Sequence, residues 1–168
     1  MDALFSQFQQ LPIDKSLISL EPGSIEVPFF CYPVNALPIG FEGGILYCFL
    51  PEYGEMVFAA NPESCADSCV YPLAQTFSDF LRLILACGSA NPVEQIIWMS
   101  RERFENHLRA ERATQTEEQK AALSLIQRTF GLTAMEDPFA YVKALQAGFD
   151  GSKIQYSDAY YEVLGLDR

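Results

Sequence analysis

Residues 44–86 constrain the fold more than any other part of this sequence, because two apolar strand-like runs precede a strongly amphipathic helix. The runs at 45–50 and 55–60 flank a short loop, and a helical pattern opens at Thr76. Short apolar runs bounded by turn residues indicate β-strands. This order predicts an α+β fold, with a mainly antiparallel sheet in the N-terminal half packed against helices and an extended helical C-terminal part.

Three strands are predicted in the N-terminal half. Residues 45–50 are almost all apolar, so we expect both faces of that strand to be covered. Gly54 ends the loop before residues 55–60 and can take a positive φ, which favours an antiparallel hairpin at the centre of the sheet. Residues 25–32 alternate apolar side chains on one face, and Pro28, which lacks a backbone donor, favours an edge strand there.

Helices are predicted from capping residues and from apolar side chains at helical spacing. The first begins after Thr76 and ends at Gly88. The second is expected to start at the cap Asn91, with Pro92 at its first position, and to continue through Leu108. Three further helices are expected to begin near Thr116, Asp137 and Ser157.

The length and composition suit one domain spanning residues 1–168, divided into a β-rich acidic part (1–75) and a helical part (76–168). Of the 168 residues, 49% are hydrophobic and 20% charged, a balance typical of globular proteins. No basic leader and no apolar run of about 20 residues occurs, so we expect a cytoplasmic protein with no membrane contact. The five cysteines are an odd number and are expected to be free thiols.

The net charge of −11 is concentrated in the N-terminal part. Residues 1–75 hold nine carboxylates and one lysine, a net charge of −8, whereas residues 76–168 hold thirteen carboxylates and ten Lys or Arg, a net charge of −3. Direct binding to nucleic acid requires clustered cations, so it is not expected. A basic protein partner fits this charge better, although acidity can also serve solubility alone.

The sequence favours a protein without catalytic, metal-binding or cofactor residues. Cys65 and Cys69 are spaced as two zinc ligands could be, but no second pair of ligands follows at zinc spacing. His107 is the only histidine and is expected to be a surface helix residue rather than a catalytic base. An enzyme acting through a reactive cysteine is the weakest of the alternatives.

The hairpin at 45–50 and 55–59, followed by Tyr71-Pro72-Leu73-Ala74-Gln75-Thr76-Phe77-Ser78-Asp79-Phe80-Leu81, resembles the SUKH superfamily. Members of that superfamily look like an antiparallel sheet whose final strand leads into a helix packed on the sheet. The resemblance covers about a quarter of the chain, residues 44–86. It implies a non-enzymatic binding protein, since many bacterial members are immunity proteins that neutralise a toxin, often a nuclease.

The leading hypothesis is therefore an immunity-type inhibitor that occludes a basic toxin by charge and shape. Tyr53, at the tip of the acidic hairpin, is either a loop anchor or a binding hot spot. The candidate partner-binding surface lies on and beside the hairpin and comprises Glu42, Glu52, Tyr53, Glu55, Glu63 and Asp67.

The alternative hypothesis is a regulatory scaffold that binds a host protein through its helical tail. The exposed face of residues 101–112 would then form the interface. The sequence does not give the oligomeric state or show whether the first 24 residues are ordered. It also does not show whether residues 45–50 are covered by this chain or by a second subunit.

Overall fold

A four-stranded antiparallel sheet organises the N-terminal half of the computed structural model, which describes residues 3–64 and 66–168. Each strand pairs with the next along the chain, so β2 and β3 form the central hairpin, as predicted. Gly54, in the connection between them, has the expected positive φ, of 66°. The strands are β1 (Leu37–Glu42), β2 (Ile45–Phe49), β3 (Val57–Ala60) and β4 (Val70–Ala74).

Both faces of β2 are buried, and this chain itself provides both covers. Tyr47 and Phe49 point into a cluster shared with the helices. Leu46 and Cys48 point into a second cluster, closed by the loop at 22–36 and by C-terminal residues including Phe149. The sheet is thus the middle layer between helices and irregular chain, which explains the nearly unbroken apolar run of its central strand.

Seven α-helices accompany the sheet in the described residues, and most of them follow it in the chain. The observed architecture is the predicted α+β arrangement. The helices are α1 (Ala3–Gln9), α2 (Phe77–Cys87), α3 (Ala90–Gln95), α4 (Arg101–Ala113), α5 (Glu117–Phe130), α6 (Pro138–Ala147) and α7 (Asp158–Leu164).

The predicted helix caps at three positions are confirmed. The side chains of Thr76, Thr116 and Asp137 each accept a hydrogen bond from the backbone N–H three residues on, at 3.0–3.1 Å. The side-chain amide of Gln119, three residues after the Thr116 cap, donates to the Gly88 carbonyl oxygen at 2.8 Å. That bond ties the start of α5 to the end of α2.

The prediction of one helix from Asn91 through Leu108 was wrong. Ser89 occupies the N-cap position of α3, so Asn91 and Pro92 lie inside its first turn, where a missing N–H costs no helical hydrogen bond. A 3₁₀ helix at Ile96–Trp98 ends this segment, and Ser100 caps a separate helix, α4. The chain therefore ends one helical segment and begins another at Ser100, a second residue that can cap a helix.

The strand predicted at residues 25–32 was also wrong, because this segment has turns and no ladder partner. Cys31 is fully buried, but Val27 is 86% exposed and Phe29 is 49% exposed. The alternation of apolar residues in this segment therefore did not indicate a strand with one buried face. Pro28 and the neighbouring prolines cannot donate ladder hydrogen bonds, and the segment covers the sheet as a loop instead.

The N-terminal residues from Ala3 onward are ordered by aromatic packing. Phe5 and Phe8 of α1 are buried, and both make edge-to-face contacts with Phe77 at 5.1 and 5.3 Å between ring centroids. Phe5 also contacts Phe49 of β2 at 5.2 Å. This helix therefore belongs to the main core.

The helices after α2 are part of the same core rather than a separate tail. Phe104 and Leu108 of α4, Ile126 of α5 and Val142 of α6 are buried in the main cluster. Removing residues 101–168 would expose that cluster to water. Point substitutions are therefore the proper test of the helical surface.

Candidate functional site

The sheet topology divides the six candidate binding residues between two opposite ends. In this antiparallel order the β1–β2 turn and the β3–β4 loop lie at one end, and the β2–β3 connection lies at the other. The five residues of β2 separate the ends by about 13 Å. At physiological ionic strength the Debye length is about 8 Å, so the two groups of charges act largely independently.

An acidic groove lies at the end formed by the β1–β2 turn and the β3–β4 loop. Its volume is about 420 Å³. We call it the acidic groove, defined by Phe29, Glu42, Gly44, Asn61, Pro62 and Glu63. Asp67 lies in the same β3–β4 loop and is exposed, so three of the candidate carboxylates share this end.

The aromatic wall of the groove is held by two contacts of the 22–36 loop. The Tyr32 hydroxyl donates to the Gly44 carbonyl oxygen at 2.6 Å, which fastens the loop to the β1–β2 turn. Phe29 packs edge-to-face on Tyr32 at 5.5 Å. A side-chain atom added at Gly44 would touch the rings of Phe29 and Pro62 at 3.5 Å, so glycine keeps the space between the walls open.

A buried carboxylate, Glu94 of α3, stabilises the side of the groove formed by Asn61. Its Oε1 accepts hydrogen bonds from the Tyr71 hydroxyl and from Asn61 Nδ2, the latter at 2.9 Å. Only 3% of Glu94 is exposed. Burial raises the pKa of Glu94, and the charge of Glu42 raises it further, while the hydrogen bonds from Tyr71 and Asn61 oppose that shift.

Glu42 is held by neutral donors rather than by a cation. Asn91 Nδ2 lies 3.0 and 3.2 Å from its two carboxylate oxygens, and the Tyr47 hydroxyl donates at 3.1 Å. Gln95 in turn donates to the Asn91 side-chain oxygen at 2.7 Å. The charge of Glu42 is therefore fixed in position without being neutralised.

The β3–β4 loop presents Glu63 through a local turn. Asn61 Oδ1 accepts from the Glu63 backbone N–H at 2.9 Å, and the Asn61 N–H donates to the Cys69 carbonyl oxygen at 2.8 Å. These bonds close the loop on itself and leave the Glu63 carboxylate exposed. Asn61 thus links the buried carboxylate to the exposed one.

At the opposite end, Glu52 and Tyr53 are engaged within the protein. The Tyr53 hydroxyl donates to the Asp150 carbonyl oxygen at 2.9 Å, and its ring packs on Phe58 and Phe149 at 5.2 Å. Tyr53 is therefore a loop anchor. Glu52 Oε1 accepts from the side chains of Asn35 and Gln155. Of the three candidates at this end, Glu55 is the exposed one.

The carboxylates of the N-terminal part have no ion-pair partner in the part of the chain that the structure describes. Every salt bridge found there joins residues at or beyond Asp79. Lys15, the one cation before residue 76, donates to the carbonyl oxygens of Gln9 and Leu11. All ion pairs of the described residues therefore lie in the C-terminal part, and the carboxylates of the acidic groove take part in none.

The remaining candidate groups from the sequence are the one histidine and the cysteines, of which the structure describes four. His107 Nε2 lies 3.8 Å from a Glu111 carboxylate oxygen and makes no hydrogen bond. Burial raises the pKa of Cys31 and of Cys87 to about 12. Cys65, half of the spacing considered for zinc, lies outside the described residues, and the others contain no group of three His, Cys, Asp or Glu placed to hold a metal. Nor do they contain a helix with the length and apolarity needed to cross a membrane.

Sequence reasoning missed the groove's supporting residues. Asn91 was assigned to a helix cap, and Glu94, Tyr71 and Asn61 were not singled out. One signal was available, since Glu94 is a lone carboxylate within an apolar segment that has no cation nearby in sequence. A charge in such a position is buried only when polar groups from other elements reach it.

Comparison with known proteins returned no matching family model, curated protein or solved structure. The resemblance to the SUKH superfamily stays a prediction.

Proposed function

We propose that this chain is a non-enzymatic protein-binding protein that inhibits a basic partner, such as a nuclease toxin, by occupying its cationic surface. The observation that carries the proposal is the contrast in ion pairing. The acidic groove presents the fixed carboxylate of Glu42 beside the exposed Glu63, and neither has an ion-pair partner among the described residues. Such a surface attracts a cationic partner and raises its association rate, by roughly 10- to 1,000-fold in steered complexes.

The aromatic wall of the groove provides a second feature of binding interfaces, an exposed apolar surface beside the charges. Phe29 exposes 49% of its surface beside the carboxylates, and Val27 of the same loop exposes 86%. An aromatic side chain beside charged groups is typical of binding hot spots, because the partner buries the ring while the charges set the orientation. A nuclease cleft offers the complementary charge, since it binds phosphates through Lys and Arg.

The groove end supports this proposal better than the β2–β3 end. Glu52 and Tyr53 already have partners within the chain, and their exchange for a partner's contacts would cost the hydrogen bonds that fasten residues 150–155. Glu63 and Asp67 are exposed and make no ion pair among the described residues. We therefore place the main contact at Glu42, Glu63 and Asp67.

The proposal is tested by capture from a lysate of the source cells, using the tagged full-length chain and washes of increasing salt. We expect a basic protein that is retained at low salt and released as salt rises. The variant Glu63→Lys/Asp67→Lys should no longer capture this basic protein. The matched control Glu136→Lys/Glu162→Lys makes the same change in net charge on exposed residues of the C-terminal part, and it should retain the captured protein.

Capture that depends on the helical surface would favour the scaffold hypothesis instead. Arg103 lies exposed on α4, within the 101–112 segment. If Arg103→Glu removes the captured protein and Glu63→Lys/Asp67→Lys does not, the inhibitor proposal is wrong.

A further inference from the structure

We propose that a second groove, lined by the same 22–36 loop as the acidic groove, binds an aliphatic side chain that is flanked by Lys or Arg in a segment of the partner. The volume of this second groove is about 410 Å³. The identity of the partner comes from the proposed function, on which this inference rests, whereas the chemistry of the ligand is read from the groove. We call it the apolar groove, defined by Ile25, Pro28, Tyr32, Pro33, Val34 and Ser157.

Exposed apolar side chains are concentrated on the chain segment that forms this groove. Eight large apolar side chains are exposed among the described residues, and four of them, Val27, Phe29, Val34 and Leu37, lie within residues 27–37. Single exposed apolar residues are ordinary on a protein surface, whereas a concentration of them beside a groove is typical of a binding site. The segment therefore offers apolar surface that a ligand can bury.

The C-terminal segment holds the loop that forms the groove. The Val34 backbone N–H donates to the Gln155 carbonyl oxygen at 2.9 Å, and the Phe30 ring stacks on Tyr160 at 6.5 Å between ring centroids. Tyr160 also stacks on Tyr156 at 3.6 Å. Because these contacts fix the loop, a ligand can bind without first ordering it.

The unpaired charge beside the groove is negative. The 22–36 loop contains no Lys or Arg, and its one charged residue, Glu26, forms no ion pair among the described residues. At the other wall, Asp158 follows Ser157 and is paired with Arg168. Charge complementarity therefore favours a ligand that carries cations beside its apolar side chain.

A surplus of hydrogen-bond acceptors next to Val34 favours the same ligand. The side chains of Asn35 and Gln155 both donate to Glu52 Oε1. The other acceptors of this group, Asn35 Oδ1 and Glu52 Oε2, are buried and have no hydrogen-bond partner in the part of the chain that the structure describes. Lys and Arg side chains carry donors and no acceptor, so this wall attracts a cation and repels an anion.

The two grooves share a wall, so one partner can occupy both. Tyr32 lines the apolar groove, and its ring packs on Phe29 of the acidic groove at 5.5 Å. Pro28 and Phe29 are adjacent in the chain and line different grooves. A partner whose cations reach the acidic groove is therefore brought against the apolar groove as well. The charges would speed association, and the buried apolar side chain would slow dissociation.

A second copy of this chain fits the groove less well than a basic partner. It would bring its own excess of carboxylates against the same kind of surface, and like charges placed opposite each other weaken an interface. We expect a monomer in sedimentation velocity at micromolar concentration. A dimer that is lost in Val34→Ser would show that a second copy occupies the groove and would overturn the proposal.

The test uses two labelled peptides of equal charge, one in which Lys alternates with Leu and one in which Lys alternates with Ser. Fluorescence polarisation gives the Kd of each peptide for the full-length chain. Since both peptides are attracted equally to carboxylates, the ratio of their Kd values measures the apolar contribution. We expect the Leu peptide to bind at least about tenfold more tightly, because an aliphatic side chain is stabilised by burial.

The matched variants Val34→Ser and Val163→Ser locate that apolar contribution. Val34 is 59% exposed in the groove wall and Val163 is 61% exposed on α7, so the same change is made at nearly equal exposure. The bond from Val34 to Gln155 uses the backbone N–H, which serine keeps. Val34→Ser should reduce the ratio by about fivefold, and Val163→Ser should leave it unchanged. Equal ratios in the two variants, or equal binding of both peptides to the wild type, would overturn the proposal.

Failure of this inference can be told apart from failure of the proposed function. Glu63→Lys/Asp67→Lys should weaken both peptides alike and keep their ratio, because it changes charge alone. In the complex with the captured partner, Val34→Ser should speed dissociation and leave association unchanged. If the partner requires Glu63 and Asp67 but leaves Val34→Ser no faster than the wild type, the apolar groove is wrong and the proposed function stands. If no basic protein is captured but the peptides behave as expected, the proposed function is wrong and the groove still binds this class of ligand.

Discussion

Replacing Glu94 tests whether its hydrogen bonds hold the side of the acidic groove. Glu94→Leu keeps a similar volume but removes the acceptor of the Tyr71 hydroxyl and of Asn61 Nδ2. Tyr71 is 2% exposed, so its hydroxyl would be buried without a partner, while the half-buried Asn61 can reach water. An unsatisfied buried group costs about 1–3 kcal/mol, and with the loss at Asn61 we expect a total near 3 kcal/mol.

Glu94→Gln is the matched control, because an amide oxygen can accept from the same two donors without a buried charge. We expect its free energy of unfolding at neutral pH to lie within about 1 kcal/mol of the wild type. Thermal unfolding separates the variants, since about 3 kcal/mol corresponds to a Tm lowered by roughly 6–12 °C in a chain of this size. Equal stability of the two variants would refute the hydrogen-bonded role of Glu94.

The pH dependence gives the same residue a second test. Burial raises the pKa of Glu94 in the folded protein above its ordinary value of 4.5. Between those two pKa values the native state keeps a proton that the unfolded chain has released, so the contribution of Glu94 to stability is greatest below pH 4.5 and falls as pH rises through the folded pKa. The stability of wild type relative to Glu94→Gln should therefore fall over that interval. A flat difference would contradict the raised pKa.

Three further substitutions test the fold by chemical denaturation. Phe77→Ala should lower the free energy of unfolding by about 3–5 kcal/mol. It should also release α1, because Phe5 and Phe8 both pack on the removed ring, and amide exchange at these two residues should become faster. Unchanged amide protection in α1 would contradict its packing on Phe77. Thr76→Ala should cost about 1 kcal/mol through loss of the cap of α2, and an unchanged midpoint would contradict that role. Gly88→Ala should cost about 1–2 kcal/mol because its φ is 92°, and a gain in stability would contradict the left-handed helix end.

The central hairpin and the helix caps could be predicted because local chemistry decides them. The apolar run at 45–50 indicated a strand covered on both faces, and Thr76 needed only its neighbours in sequence to act as a cap. The loop at 22–36 could not be predicted in this way. Its alternating side chains resemble a strand, but its prolines leave no ladder, and contacts with distant residues such as Gly44 fix its path.

The candidate site could also be predicted only in part, because its contacts join residues that are far apart in the sequence. The residues selected on and beside the hairpin include Glu42 and Glu63, which line one groove, and also Glu52 and Tyr53, which the topology carries to the opposite end. The role of Glu94 depends on side chains 23 and 33 residues away in sequence, from β4 and from the start of the β3–β4 loop. No local pattern encodes such a contact.

The most direct test of the account is the affinity of the captured partner for three purified proteins: wild type, Glu63→Lys/Asp67→Lys, and the matched control Glu136→Lys/Glu162→Lys. Titration at two ionic strengths, with circular dichroism to verify folding, gives the Kd of each. We expect the groove variant to bind at least about tenfold more weakly, mainly through slower association, and the control to bind like the wild type. Equal weakening of both variants, or of neither, would contradict an interface at the acidic groove.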